Sequence, residues 1–216
     1  MPDDAPTDFS IRSAAALRAL FGRAEGLAVS KSLTRLDRHC REFIARSPFL
    51  CIGTTSADGR ADVSPRGDPP GFVQVIDDRT IAIPDRPGNN RLDTMSNIVA
   101  NPSVGLIFLI PGFDDTLRIN GKATITRDPD LLACAAVNGK APKVVIRVAV
   151  EEAFLHCAKA FRRSRLWDPA SRVDRTTMPS LARMILEQTA GEKKPDEAEV
   201  AACDTLIEED YKTSMY

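Results

Sequence analysis

The sequence predicts an α+β protein, a small antiparallel β-barrel decorated with helices. Three observations lead there. The middle of the chain is a run of short β-branched or aromatic segments separated by turn sequences, one helical stretch interrupts that run, and helical spacing returns at both ends. A chain of 216 residues that is 43% hydrophobic can bury one full core. The pattern divides it into an N-terminal helical segment over 1–47, a barrel domain over 48–167 and a C-terminal helical extension over 168–216.

Ile11, Leu17, Leu20 and Phe21 fit a short helix from Ser10 to Gly22, capped by serine and stopped by glycine. A second helix is expected from about Leu33 to Ala45, where Leu33, Leu36, Cys40, Phe43 and Ile44 recur at helical spacing before Ser47-Pro48 ends the pattern. The segments "FLCIGTT", "ADVSP", "FVQVI" and "TIAIP" then read as antiparallel strands. After a helix that stops at Asn101-Pro102, "VGLIFLI" is a buried strand and "TLRINGKATITR" a long one interrupted at Gly121, as at a bulge. Asp128-Pro129 starts a short helix, and "KVVIRVAVEEAFLHC" is the last strand, so that about six strands form the sheet. "AKAFRRSRLW" is a basic turn of helix, and from Met178 the chain is helical again, broken by "GEKKP".

Twenty-nine basic residues nearly cancel thirty acidic ones, which argues against wholesale attraction to nucleic acid or an anionic membrane. No apolar run approaches the ~20 residues of a spanning helix, and "MPDDAPTDFS" lacks the apolar core of a signal peptide, so a cytoplasmic address is expected. Five scattered cysteines make neither a disulfide framework nor a metal pair. His39 and His156 have no ligand spacing, and no metal is expected. Serine-hydrolase, P-loop and dinucleotide-binding motifs are absent as well.

Three segments stand out chemically. In "DRPGNNRLDTMSNIVANP" a turn, two asparagines and an arginine precede a helix start, whose unpaired N–H groups and dipole favour an anion. Asn89 and Asn90 add amide donors and Arg91 can grip two oxygens, although an ordinary capped helix with a solvent-facing arginine fits equally well. "DVSPRGDPPGF" gives a stiff strand edge with a cation beside it, able to lie along a flat heterocycle. "TLRINGKA" puts Thr116, Arg118 and Asn120 on one strand face, as a solvent-facing strand would also do.

Together with "TTSADGRADVSPRGD" and the basic "HCAKAFRRSRLWDP", these segments resemble the pyridoxamine 5'-phosphate oxidase-like family of flavin-binding split barrels over roughly residues 40 to 167. The resemblance implies an antiparallel six-stranded Greek-key split barrel and a homodimer with FMN at the subunit interface. It implies that Ser64, Pro65, Arg66 and Gly67 face the isoalloxazine ring, that Pro84 and Asp85 begin the next contact segment, and that Asn89, Asn90 and Arg91 hold the phosphate. Thr116 stands where the family commonly has glutamine near the ring, with Arg118 two positions on, and Lys159, Arg162, Arg163 and Trp167 come from the second subunit. The family's usual arginine-leucine-alanine-proline-like tail is missing from "EEDYKTSMY", so pyridoxamine 5'-phosphate itself is not the expected substrate.

The expected function is therefore that of an FMN-dependent oxidoreductase with a small-molecule substrate or electron donor, in which the flavin carries the redox chemistry and no catalytic residue is assigned. A non-catalytic flavin or haem binder is the alternative. An oligonucleotide-binding barrel is disfavoured by near-neutral charge and 6% aromatics.

Overall fold

The computed structural model describes residues 9–191 and 194–216. The first eight residues, with most of the acidic N-terminus, and Glu192 and Lys193 of the expected helix break lie outside the described residues. The chain forms two compact units, one ending at Ser32 and one running from Leu33 to Tyr216.

In the first unit α1 (Ala14–Phe21) starts three residues later than Ser10 would have it. Ser13 is the cap, with extended backbone and a side chain that accepts the Ala16 N–H at 3.1 Å, and Gly22 at φ 69° stops the helix. The single turn α2 (Leu27–Ser30) is too short for a periodic signal to reveal it.

The second unit opens with a departure from the expected helix over 33–45. Leu33 exchanges two backbone hydrogen bonds with Ala153, and α3 (Arg38–Arg46) begins only after Asp37, whose carboxylate accepts the Cys40 N–H at 2.8 Å. That bond is the main reason the Asp37 carboxyl sits below its usual range. Cys40, Phe43 and Ile44 share one face of α3 and are buried, each large apolar side chain contributing about 1.5–3 kcal/mol. Burial, helped by Asp37, pushes the Cys40 thiol up to about 11.

The strands are β1 (Phe49–Thr55), β2 (Ala61–Gly67), β3 (Gln74–Val75), β4 (Thr80–Pro84), β5 (Ser103–Leu109), β6 (Thr116–Thr126) and β7 (Val145–His156). They form one antiparallel seven-stranded sheet in the order β2-β1-β5-β6-β7-β4-β3. This is the expected split barrel; each of the seven segments read as a strand forms one, which makes one strand more than the six-stranded barrel anticipated, and "FVQVI" is reduced to the two-residue edge strand β3. Pro65 is tolerated within a strand because β2 is the other edge and pairs only with β1.

Leu50, Ile52, Phe108, Leu117, Ile119 and Ile146 alternate along four strands and fill the core with no exposed surface. β4 is buried on both sides. Ile81 and Ile83 enter the main core, while Ala82 packs with Ala135, Val145 and the underside of α5 (Pro129–Cys134). The bulge expected at Gly121 is present as a register shift between Asn120 and Gly121 on β6.

β4 and β5 lie three places apart in the sheet, so the connection between them must travel far. It consists of residues 85–92 followed by α4 (Asp93–Ala100). After β7 come α6 (Lys159–Ser164), two 3-10 turns, α7 (Leu181–Thr189) and α8 (Glu197–Thr213), the last opened by a reciprocal cap between Asp196 and Glu199. Among the described residues no helix is long and apolar enough to cross a membrane.

Candidate functional site

The long connection and the edge strand β2 meet around a cavity of about 490 Å³. Its walls are Asp62 to Arg66 on β2, Asp85 to Met95 along the connection and the start of α4, the loop Lys140 to Lys143, and Tyr216. The volume is within the ~300–1,000 Å³ usual for small-molecule sites.

Side chains two apart on a strand point the same way, so Asp62, Ser64 and Arg66 turn one half-buried face of β2 toward the cavity. The Arg66 guanidinium folds back on its own strand, donating to Ser64 Oγ at 2.6 Å and to the Pro65 carbonyl at 2.9 Å. Its Nε is buried and has no hydrogen-bond partner. A buried charged donor left open is costly unless a ligand completes it. Asp85 faces the same cationic surroundings; burial raises its carboxyl above the ordinary range, and Arg66 and Lys143 pull the other way.

α4 begins without a side-chain cap. Its N-cap residue, Leu92, is left-handed at φ 60°, and Asn90 is left-handed at φ 55°. A bulky residue there is strained, and the first N–H groups of α4 receive no protein side chain. Asn89 Oδ1 accepts the Arg91 N–H at 3.1 Å, which folds the loop into a turn, and Arg91 Nε donates to Asp93 Oδ2 at 2.7 Å with the arginine side chain 73% exposed.

Several of the cavity's groups have no counterpart among the residues expected from sequence. Asp62 Oδ2 accepts from Thr94 Oγ1 at 3.2 Å and lies 3.5 Å from Thr54 Oγ1, which in turn accepts from Asn97 Nδ2 at 3.0 Å, so one carboxylate joins β1, β2 and α4. Its alternation with Ser64 and Arg66 was the available signal. Arg86 donates through Nε to Asp68 Oδ2 at 2.6 Å and through Nη1 to the Ala135 carbonyl at 2.9 Å. Tyr216 donates its phenol to Asp68 Oδ1 at 2.6 Å, its ring lies 5.5 Å from the Arg86 guanidinium, and its main-chain oxygen accepts from Lys140 Nζ at 3.1 Å. Nothing in the sequence signals that contact, which spans 148 positions.

Of the residues singled out by sequence, Ser64, Pro65, Arg66, Asp85, Asn89, Asn90 and Arg91 line this one cavity. Gly67 and Pro84 end the strands that enter it without lining it. Thr116 is buried on β6 opposite His156, and Arg118 lies over the Phe154 ring at 5.2 Å; neither reaches the cavity. Lys159, Arg162 and Arg163 on α6 and the following Trp167 form a separate corner of the same chain. There Arg162 Nε donates to Asp114 at 3.2 Å, and Trp167 stacks on Phe161 and donates Nε1–H to the Phe113 carbonyl at 2.7 Å. Among the described residues no group of three His, Cys, Asp or Glu could hold a metal ion.

Comparison with known proteins adds to this geometry. HupZ of Group A Streptococcus is 19% identical, over 56% of this chain and 93% of its own, with a TM-score of 0.47. A putative pyridoxamine 5'-phosphate oxidase of Lactobacillus delbrueckii is 19% identical over 56% and 95% with a TM-score of 0.44, and the FAD binding protein of Mycobacterium smegmatis is 20% identical over 57% and 97% with a TM-score of 0.41. No curated protein matches the chain. The sequence pattern of the family described as pyridoxamine 5'-phosphate oxidase matches residues 36–157, which run from the approach to α3 to the end of β7 and make up more than half of the protein. The chain therefore belongs to the pyridoxamine 5'-phosphate oxidase family.

Proposed function

We propose that the protein binds FMN in the cavity between β2 and α4 and is an FMN-dependent oxidoreductase acting on a small molecule. One observation carries the reading. Two separate segments bring to a single cavity a half-buried arginine whose buried Nε is open and a helix start with no side-chain cap, both of which call for an anionic or acceptor-rich ligand.

In this reading the α4 amides, Asn89, Asn90 and Arg91 hold the phosphate, and Arg91 trades its exposed pairing with Asp93 for the ligand. The edge Ser64, Pro65 and Arg66 lies along the ring, where the Arg66 guanidinium stabilises negative charge that develops on an acceptor beside it. FMN supplies hydride transfer. Asp85, whose ionisation burial opposes, is the cavity carboxyl suited to hold a proton at its side-chain oxygens.

The reading includes a cytoplasmic homodimer in which Lys159, Arg162, Arg163 and Trp167 of one protomer approach the FMN of its partner. The test is mass spectrometry of the small molecule that co-purifies, with titration of the stripped protein with FMN and light scattering for its oligomeric state. A yellow dimer with about one FMN per chain is expected. A colourless protein that takes up no added FMN overturns the reading.

A further inference from the structure

We propose that Tyr216 is a positioning residue for the anion-binding segment, acting through Asp68 and Arg86. The Asp68 side chain is 2% exposed and that of Arg86 17%, so the pair is held away from water. A carboxylate in that setting is stable only when its oxygens are matched by donors. Oδ2 is matched by Arg86 and Oδ1 by the Tyr216 phenol. The arrangement is reciprocal, since the bond to Asp68 raises the phenol's pKa above its ordinary value and keeps it a donor.

Arg86 immediately precedes Pro87, Gly88, Asn89, Asn90 and Arg91, and its side chain ties that segment to the end of β2 through Asp68 and to the end of α5 through Ala135. The segment's other side-chain bonds are local: Asn89 to the Arg91 N–H, and Arg91 to Asp93. Asn90 within it and Leu92 just after it are left-handed and must be held by their surroundings. Withdrawing the phenol leaves Oδ1 without its donor, and Arg86 then divides itself between both carboxylate oxygens and water. The residues that lose their reference point are those that grip the phosphate.

The consequence for ligands rests on the FMN reading: the Tyr216 hydroxyl matters to the phosphate end of the ligand and not to the ring. Tyr216→Phe removes the hydroxyl and keeps the wall. Its dissociation constant for FMN should rise ~5–30-fold, less than the ~13–160-fold of a hydrogen bond to a charged group lost directly because the hydroxyl acts through Asp68 and Arg86, while that for riboflavin, which lacks the phosphate, stays within ~2-fold. Hydrogen exchange of the ligand-free full-length protein reads the tether without any flavin. Amides 88–91 of Tyr216→Phe should exchange faster by ~5-fold or more, with β6 and β7 unchanged. Unchanged exchange at 88–91, a uniform rise across the barrel, or equal losses for FMN and riboflavin each overturn the proposal. If the parent protein binds no FMN, the flavin reading falls and the exchange result still decides the role of Tyr216.

Discussion

The cavity wall and the α6 corner are both rich in arginine, yet they use it in opposite ways. At the corner Arg162 is largely exposed and paired with Asp114, and Trp167 is stacked and hydrogen-bonded, so both of these side chains are satisfied. At the cavity Arg86 is withdrawn from water against a buried carboxylate, and Arg66 has a buried donor with nothing to meet it. The contrast teaches that cationic residues identify a binding region through what remains unsatisfied around them, and their number alone says little.

The sharpest way to break the comparison is to remove one arginine from each region. Arg86→Met should cost about 3–5 kcal/mol by urea denaturation because it strands the buried Asp68 carboxylate, whereas Arg162→Met, in an exposed pair, should cost less than about 1 kcal/mol. Equal losses would erase the distinction. Next in size is ligand affinity: Arg91→Ala should weaken FMN binding by roughly 1.5–3 kcal/mol in a fluorescence titration while leaving the melting temperature nearly unchanged, because its partner Asp93 is itself half-exposed.

A smaller effect separates burial from pairing. Folding favours the protonated form of Asp85, so its contribution to stability is present below its unfolded pKa and is lost as pH rises through the raised folded value. Ionised Asp85 is thus a burden at neutral pH. Asp85→Asn should melt higher than the parent at pH 7, and the advantage should vanish below about pH 4, where the parent carboxyl is protonated in both states. An advantage that persists at low pH would mean that packing, and not charge, sets the difference. The smallest expected change is at Asp37, where replacement by Ala removes the α3 cap and costs about 1 kcal/mol at pH 7. Because the folded Asp37 carboxyl is depressed, that cost should fade as pH drops through its folded pKa.

Much of the barrel was legible because alternation in "FLCIGTT", "VGLIFLI" and "KVVIRVAVEEAFLHC" reports directly which side chains face a core. Gly121 announced its bulge, since a glycine within an alternating strand has few other uses. The start of α3 was misjudged because Leu33 satisfies helical spacing by accident while its backbone pairs with Ala153, a partner 120 residues away that spacing cannot disclose. In the cavity, the 85–91 loop and the β2 edge were legible as local chemistry. Lys140, Lys143 and Tyr216 carry no local signal in the sequence, because their meaning arises only when the end of the chain and the 140–143 loop are brought beside Arg86.

Gly121 also sets a limit on sequence variation in the centre of the sheet. A Cβ at that position would sit 2.1 Å from the Ala149 carbonyl oxygen, and a main-chain atom has no rotamer into which it can retreat. Size is therefore irrelevant there: alanine is as unacceptable as tryptophan, and a saturation library at 121 selected for folded protein should return glycine alone. Gly53 makes the instructive contrast, since its added Cβ would meet the Gly105 carbonyl at an ordinary 3.6 Å and alanine should survive the same selection.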